Sequence, residues 1–385
     1  MTSLTTTFRL PEPIAAHLAA GVYERVGGVV RDSQTKQVVM WLRETGQMNH
    51  LPGAIPSVLS SLGAMTSLLN LGVSTMGFAL ILQRLEGIER QIDHLGELIK
   101  IGFHAKCVAA IELAAHAVRM TDAANRRQMA IEAIALLTEA RGLLVPLLDA
   151  ELAQGSSTVP SYLAALSLTY ISEARCYLEI EEAAIACRLL EHAAATLEPR
   201  VRQHVQTLLT AQPAAYLHSS LKRTIPRHRI LNVLCWANPD LKKRGFLRSV
   251  PPQLAALEAQ SIEWIDSLPK AIWNPAIDDQ ESWAGWAIRQ PGLLLAPWLP
   301  SGWVHKQAQQ ASIIEHRLPK VFQTIETLIE GFQRLQIYSL EIRATQQLAM
   351  SFDSWQQLAP AEEKPPAPPP LMYIVFAEPL LLKQS

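Results

Sequence analysis

The side chains that most often do chemistry in proteins are present in this chain, but they are scattered. The 385 residues include 4 cysteines and 11 histidines. No CxxC pair occurs, and no histidine clusters with Cys or Asp at ligand spacing, so neither a zinc site nor a disulfide framework is predicted. Glu112 and His116 lie one helical turn apart, but a di-iron bundle needs paired ExxH motifs on two helices, and the sequence has none. We therefore predict no metal site and interpret the cysteines as buried thiols.

The familiar catalytic motifs are missing as well. The sequence contains neither the glycine-rich motifs that bind nucleotides nor the GxSxG and HExxH motifs of serine hydrolases and zinc proteases. We predict no catalytic residue, no cofactor and no small-molecule substrate. The chain is not expected to be an enzyme.

One stretch of the chain lacks charged residues altogether. Residues 45–83 contain no Asp, Glu, Lys or Arg, although 18% of the whole chain is charged. Within this stretch, residues 58–82 are enough for a helix to cross a hydrocarbon core of about 30 Å. Seven of these positions are Ser, Thr or Asn and three are Gly, so insertion is less favourable than for a leucine-rich anchor.

Moderate apolarity suits a helix that is shielded inside a bundle and enters a bilayer when it is released. The candidates for membrane insertion are Val58, Leu62, Leu68, Leu69, Leu71, Val73, Phe78, Leu80, Ile81 and Leu82. The small residues that allow close helix contact are Ser60, Gly63, Ala64 and Ser67. Two alternatives remain open: a fully buried central helix of a large bundle, which is also apolar all round, and a permanent single-pass anchor.

Most of the chain has the pattern of long helices. Apolar residues recur at alternating spacings of three and four through residues 78–99 and again through residues 318–335, which predicts coiled-coil-like seams. Helix breaks are predicted at residues 121–122 and 155–158, where capping and turn residues cluster.

The two ends of the chain depart from this pattern. In residues 23–44, two β-rich runs flank a polar loop and predict a hairpin. Its apolar surface is predicted to consist of Val30, Val38, Val39 and Trp41. At the other end, the apolar residues 371–385 follow a proline-rich spacer. This tail can dock as a strand on an open sheet edge, act as a recognition peptide or pack on its own domain.

The predicted fold class is mainly α: an elongated bundle of long antiparallel helices with coiled-coil-like seams, plus a small N-terminal β-hairpin. The predicted units, in chain order, are an N-terminal helix and β-hairpin (1–50), a helical bundle (51–258), a Trp-rich irregular connection (259–304), a long C-terminal helix (305–358), a Pro-rich linker (359–370) and an apolar C-terminal tail (371–385).

The formal net charge of -1 excludes recruitment of nucleic acid or anionic lipid by a global field. The local exception is residues 222–248, which carry a charge of +7 through Lys222, Arg223, Arg227, Arg229, Lys242, Lys243, Arg244 and Arg248 against Asp240. This basic stretch can rest on anionic lipid headgroups. Nucleic acid is not an expected partner, because no recognition motif accompanies the stretch. The alternative is a solvated loop pair that balances the acidic helix bearing Glu173, Glu179, Glu181 and Glu182.

Together these patterns predict a membrane-active helical protein of the effector or toxin type. Its soluble form converts to a membrane-inserted oligomer or pore through the uncharged segment 51–82. The alternative is a soluble α-helical scaffold or adaptor for protein–protein interaction. Expected partners are further copies or partner proteins bound through the long helices, and an anionic membrane. The N-terminus has no uninterrupted apolar run, so we expect the protein to be cytoplasmic as synthesised, with movement to a membrane under the insertion hypothesis.

Overall fold

The computed structural model describes residues 4–44, 98–156, 158–209, 225, 227–240, 318–358 and 371–382, with the isolated positions 252 and 255. In these parts the protein is mainly helical and carries a small antiparallel sheet. The elements are β1 (Leu4–Thr7), α1 (Glu12–Ala19), β2 (Tyr23–Val26), β3 (Val29–Asp32), β4 (Val38–Glu44), α2 (Leu98–Arg119), α3 (Ala123–Gln154), α4 (Val159–Glu179), α5 (Ala183–Leu208), α6 (Arg227–Ala237), α7 (Leu318–Gln347), α8 (Phe352–Gln356) and β5 (Leu371–Leu380). The uncharged segment and the predicted Trp-rich connection lie outside the described residues.

Local capping chemistry sets the boundaries of the long helices. The Asp122 carboxylate accepts a hydrogen bond from the backbone N–H of Asn125 at 2.8 Å and caps the start of α3. Gly155 ends this helix in the left-handed conformation, with φ of 63°. Pro160 lies in the first turn of α4, where its missing N–H costs no helical hydrogen bond. Both predicted helix breaks are therefore confirmed.

Helix α4 occupies the centre of the bundle. It packs against α2, α3 and α5, and α5 in turn packs along α7. Every described residue from 158 to 176 is buried. The seam of α7 that the sequence indicates is buried too, at Phe322, Ile325, Ile329, Phe332 and Leu335.

The five strands form one antiparallel sheet in the order β1-β5-β4-β3-β2. The predicted hairpin is confirmed by the pairing of β3 with β4 around the polar loop. In this loop the Asp32 carboxylate accepts the backbone N–H groups of Gln34 and Thr35 at 2.8 and 2.7 Å. The first β-rich run consists of two strands rather than one, because Gly27 turns the chain with φ of 54°.

The C-terminal tail is a strand of this N-terminal sheet. Leu4 of β1 lies opposite Phe376, and Trp41 of β4 lies opposite Ile374. Docking on an open edge was one of the expected outcomes, but β5 lies inside the sheet because the short strand β1 pairs on its far side. The first and last predicted units of the chain therefore share one sheet.

The two faces of the sheet are covered by different helices. One face packs on α7 and α8 through a buried cluster that includes Val38, Trp41, Ile374 and Trp355. The other face packs on α1 through a smaller cluster of Ile14, Val30, Val39 and Met40. A register shift between Val38 and Met40 breaks the strict alternation, so that Val38 and Trp41 share a face although they are three residues apart. All four predicted apolar residues of the hairpin are buried.

Candidate functional site

The predicted membrane-insertion residues and the small helix-contact residues, from Val58 to Leu82, all lie outside the described part of the chain. Among the residues that the structure describes, no helix is both long and apolar enough to span a bilayer. The described residues nearest to this segment in the chain are Glu44, at the end of β4, and Leu98, at the start of α2.

Arg229 is the one member of the predicted basic stretch whose side chain is described. Its Nε donates to Glu326 Oε1 on α7 at 2.8 Å, and a second, shorter contact joins its Nη2 to Oε2 of the same carboxylate. This hydrogen bonding raises the pKa of Arg229. Arg229 therefore ties α6 to α7, and its charge is matched within the protein.

The acidic residues of α4 find their partners inside the bundle. Glu173 forms an ion pair with Arg141 of α3 and accepts a hydrogen bond from Thr138 at 3.2 Å. Burial raises the pKa of Glu173, and the neighbouring Arg141 opposes that shift. The Arg141 guanidinium also lies over the Tyr170 ring, 4.7 Å from its centroid.

A second set of ion pairs lies at the C-terminal end of α4. Glu179 contacts Arg175 one turn earlier on the same helix, and Arg126 of α3 at 3.6 Å. Glu173 and Glu179 thus hold helices together. Of the four acidic residues that the alternative interpretation assigns to the basic stretch, these two are paired within the bundle.

The buried thiols are poor nucleophiles. Burial raises the pKa of Cys107 and of Cys176 to about 12, so both are protonated at neutral pH. Cys187 is also buried and lies 3.2 Å from Arg343 Nε on α7, yet burial still raises its pKa. Cys235 is only partly buried, so the interpretation of all four as buried thiols is correct for three of them.

His204 of α5 gives the fold a pH dependence. It is buried, and burial lowers its pKa to about 4. The unfolded chain binds a proton near pH 6.5 that the folded protein does not accept until about pH 4. Protonation therefore favours the unfolded chain, and the protein is most stable above pH 6.5 and loses stability as the pH falls.

We expect His204 to reduce the free energy of unfolding by about 2 kcal/mol between pH 7.5 and 5, and by about 3 kcal/mol below pH 4. Urea unfolding across this range measures the effect, and His204→Gln should flatten the curve. The exposed His116 of α2 provides the control substitution, His116→Gln. Equal pH dependence in wild type and His204→Gln would contradict the assignment.

An aromatic cluster joins the sheet to the C-terminal elements. The fully buried Trp355 of α8 stacks on Phe376 of β5 at 6.4 Å between ring centroids. Trp41 of β4 meets both rings edge-on, each at 6.0 Å. Three segments that are far apart in sequence therefore depend on one set of ring contacts.

Polar contacts extend this cluster to the end of β4. Trp355 Nε1 donates to Glu341 Oε1 of α7 at 2.6 Å. Arg43 Nη1 donates to the backbone carbonyl of Trp355 at 2.8 Å, and its Nη2 lies 3.7 Å from Glu341 Oε1. Burial lowers the pKa of Arg43, and Glu341 opposes that shift. We call Arg43, Glu341 and Trp355 the sheet latch.

Sequence reasoning did not single out the sheet latch. Its three residues are distant in the chain, and a lone Arg, Glu and Trp have no spacing that marks a site. A usable signal was present in the tail, where residues 371–376 form a continuous apolar run with β-branched and aromatic residues. Such a short apolar run is typical of a strand that is buried on both faces.

Within the described residues, no group of three or more His, Cys, Asp or Glu side chains is placed to hold a metal ion. Glu112 and His116 are exposed on α2. Compared with protein-family models, curated proteins and solved structures, the chain matches none of them.

Proposed function

We propose that the protein is membrane-active. Segment 51–82 leaves a shielded position and inserts into a bilayer, where several copies assemble into an oligomer or pore. In this proposal the protein is an elongated bundle of antiparallel helices with coiled-coil-like seams. It is in the cytoplasm when it is synthesised and at a membrane after insertion.

The observation that carries this proposal is the position of α4. The competing interpretation of the uncharged segment is a fully buried central helix of the bundle. In the described bundle that central position belongs to α4, which is surrounded by α2, α3 and α5. This arrangement favours another role for the uncharged segment.

The composition of α4 adds support. Although this helix is buried over most of its length, it carries Glu173, Arg175 and Glu179, each in an ion pair. A buried helix in this protein therefore tolerates charged residues that have partners. The complete lack of charge in residues 45–83 is better matched to a hydrocarbon environment, where Asp, Lys or Arg each cost about 2.5–3.5 kcal/mol at the helix centre.

The described elements that precede and follow residues 45–97 belong to different parts of the fold. Strand β4 ends at Glu44 within the sheet, and α2 starts at Leu98 within the helical bundle.

The seven other basic residues of the stretch 222–248 are proposed to draw the protein to anionic lipid, at about 1 kcal/mol for each residue near the surface.

Dye release from vesicles tests the proposal. We expect the full-length protein to release dye from phosphatidylcholine vesicles that contain phosphatidylglycerol, and to release less without it. Leu69→Asp and Phe78→Asp should each lower the release rate by about 100-fold, because a charge enters the inserting helix.

Leu136→Asp is the matched control, because Leu136 is a half-exposed leucine on α3, 43% accessible, where the same change should be tolerated. Vesicle flotation separates binding from insertion. If wild type neither binds nor permeabilises either vesicle, and the two segment variants misfold, the segment is core and the scaffold alternative stands.

A further inference from the structure

The uncharged stretch starts at the residue that follows β4. The last residue of this strand, Glu44, pairs with Leu371 at the start of β5, and the preceding Arg43 pairs with Met372. The last described residue before the stretch, Glu44, is therefore held by the C-terminal strand on one side. The sheet latch holds the same point on the other side, through Arg43.

The opposite side of the sheet has its own attachment to α7. Arg25 of β2 forms an ion pair with Glu330 at 3.3 Å. At the adjacent turn, a Cβ added to Gly27 would lie only 3.0 Å from backbone atoms of Gln333 and Arg334, so this turn touches the helix backbone closely. The sheet can consequently stay attached to α7 while the end of β4 comes free.

The two attachments differ in burial. Arg25 is about half exposed and Glu330 is partly exposed, whereas the side chains of Arg43 and Glu341 are 22% and 13% accessible. The latch also includes the fully buried Trp355, whose indole N–H uses the same Glu341 oxygen. Loss of Glu341 would leave the buried Trp355 indole N–H and the partly buried Arg43 guanidinium without that acceptor, which is costly in a low-dielectric site.

We propose that the sheet latch is an autoinhibitory contact: Arg43, Glu341 and Trp355, together with the β4–β5 pairing, restrain the start of the uncharged segment, and their opening precedes membrane insertion. This inference rests on the proposed function and specifies how it is controlled. Release of the latch separates β4 from β5 at Glu44 and Leu371 without detaching β2 and β3 from α7.

Hydrogen exchange on the full-length protein tests the latch independently of lipid. Glu341→Ala should speed amide exchange at the opposed residues Arg43 of β4 and Met372 of β5 by about 10- to 100-fold, whereas the Leu42 amide donates to Gly28 and should keep its rate. Glu330→Ala is the matched control, since it removes the same side chain from the same helix and also unpairs an arginine of the sheet. It should leave those amides at the wild-type rate.

Dye release tests the inhibitory role. Glu341→Ala should release dye faster than wild type, and Glu330→Ala should match wild type. A second variant avoids reliance on a destabilising change. Leu42 and Tyr373 lie opposite each other on β4 and β5, where Cβ atoms are about 4.5–5.5 Å apart, close to the disulfide range. Oxidised Leu42→Cys/Tyr373→Cys should not release dye, and reduction should restore release. The single variant Leu42→Cys should release dye at the same rate with and without the oxidant.

The outcomes separate the two proposals. If wild type releases dye and the oxidised double variant releases it equally fast, the latch is overturned and the membrane function stands. If Glu341→Ala exchanges and leaks like Glu330→Ala, the latch is overturned as well. If no variant and no wild-type sample releases dye, the membrane function fails and the inhibitory role fails with it.

Discussion

Replacing Arg141 with methionine is expected to lower the free energy of unfolding by about 3–5 kcal/mol. The substitution removes the partner of Glu173, whose side chain is only 3% accessible. The methionine fills much of the arginine volume, so the loss reports mainly the uncompensated carboxylate rather than a cavity. Urea unfolding followed by circular dichroism measures the change.

The pH dependence of this loss identifies its cause. Burial already raises the pKa of Glu173, and removal of Arg141 should raise it further. A carboxyl whose folded pKa lies above its unfolded value loses stability as the pH rises through that range. The deficit of Arg141→Met should therefore be larger at about pH 8 than at about pH 5.

Two further variants serve as controls. Arg200→Met removes a more exposed pair between α5 and α3, in which Arg200 of α5 donates to Asp149 of α3 at 2.7 and 2.8 Å and Asp149 is half exposed. It should cost about 1 kcal/mol or less. Arg141→Met/Glu173→Gln should regain most of the lost stability, because no charge is then buried. If Arg141→Met alone lowered the free energy of unfolding as little as Arg200→Met does, this explanation would be contradicted.

Ending the chain at residue 370 is expected to unfold the sheet and leave the helical bundle intact. The deletion removes four buried residues of β5, namely Met372, Ile374, Phe376 and Leu380. At about 1.5–3 kcal/mol each, their loss is comparable to the whole stability of a domain. In the described sheet, β1 pairs with β5 alone. Helices α2 to α5 have a separate buried cluster and should keep their circular dichroism signal.

A peptide of residues 371–382 should restore the sheet when it is added to the shortened chain. Its backbone can fill the position between β1 and β4, as strands do in β-augmentation. Protection of β4 amides from hydrogen exchange is the readout. The peptide with Ile374→Asp should fail, whereas Ala377→Asp places the same charge at an exposed position and should succeed. Full protection of β4 in the shortened chain without peptide would contradict this role of β5.

The features that the sequence predicts correctly are those encoded by neighbours in the chain. Asp122 starts α3 and Gly155 ends it through contacts within a few residues. In the β3–β4 loop, the Asp32 carboxylate likewise accepts backbone N–H groups only two and three residues later. Each is visible as a short pattern of capping or turn residues. The mainly helical class follows from many such patterns in succession.

The features that the sequence leaves open depend on partners that are distant in the chain. The tail shows a strand pattern, but no local signal tells that Leu4 and Trp41 will be its neighbours. Similarly, Arg229 belongs to a basic run, and its pairing with Glu326 comes from the packing of α6 on α7. The sequence shows that a side chain is charged, but it does not show which distant residue neutralises that charge.

The insertion of β5 between β1 and β4 has a consequence for biosynthesis. Thr7 and Tyr373 are neighbours in the sheet, so the ribosome must add more than three hundred residues after the first before the second appears. At about 5–20 residues per second, β1 waits roughly 20–70 s for its partner. For most of that interval the uncharged stretch is already synthesised, because it precedes the strand that completes the sheet by almost three hundred residues. Any chaperone or membrane that binds the stretch has this window in which to compete with native closure.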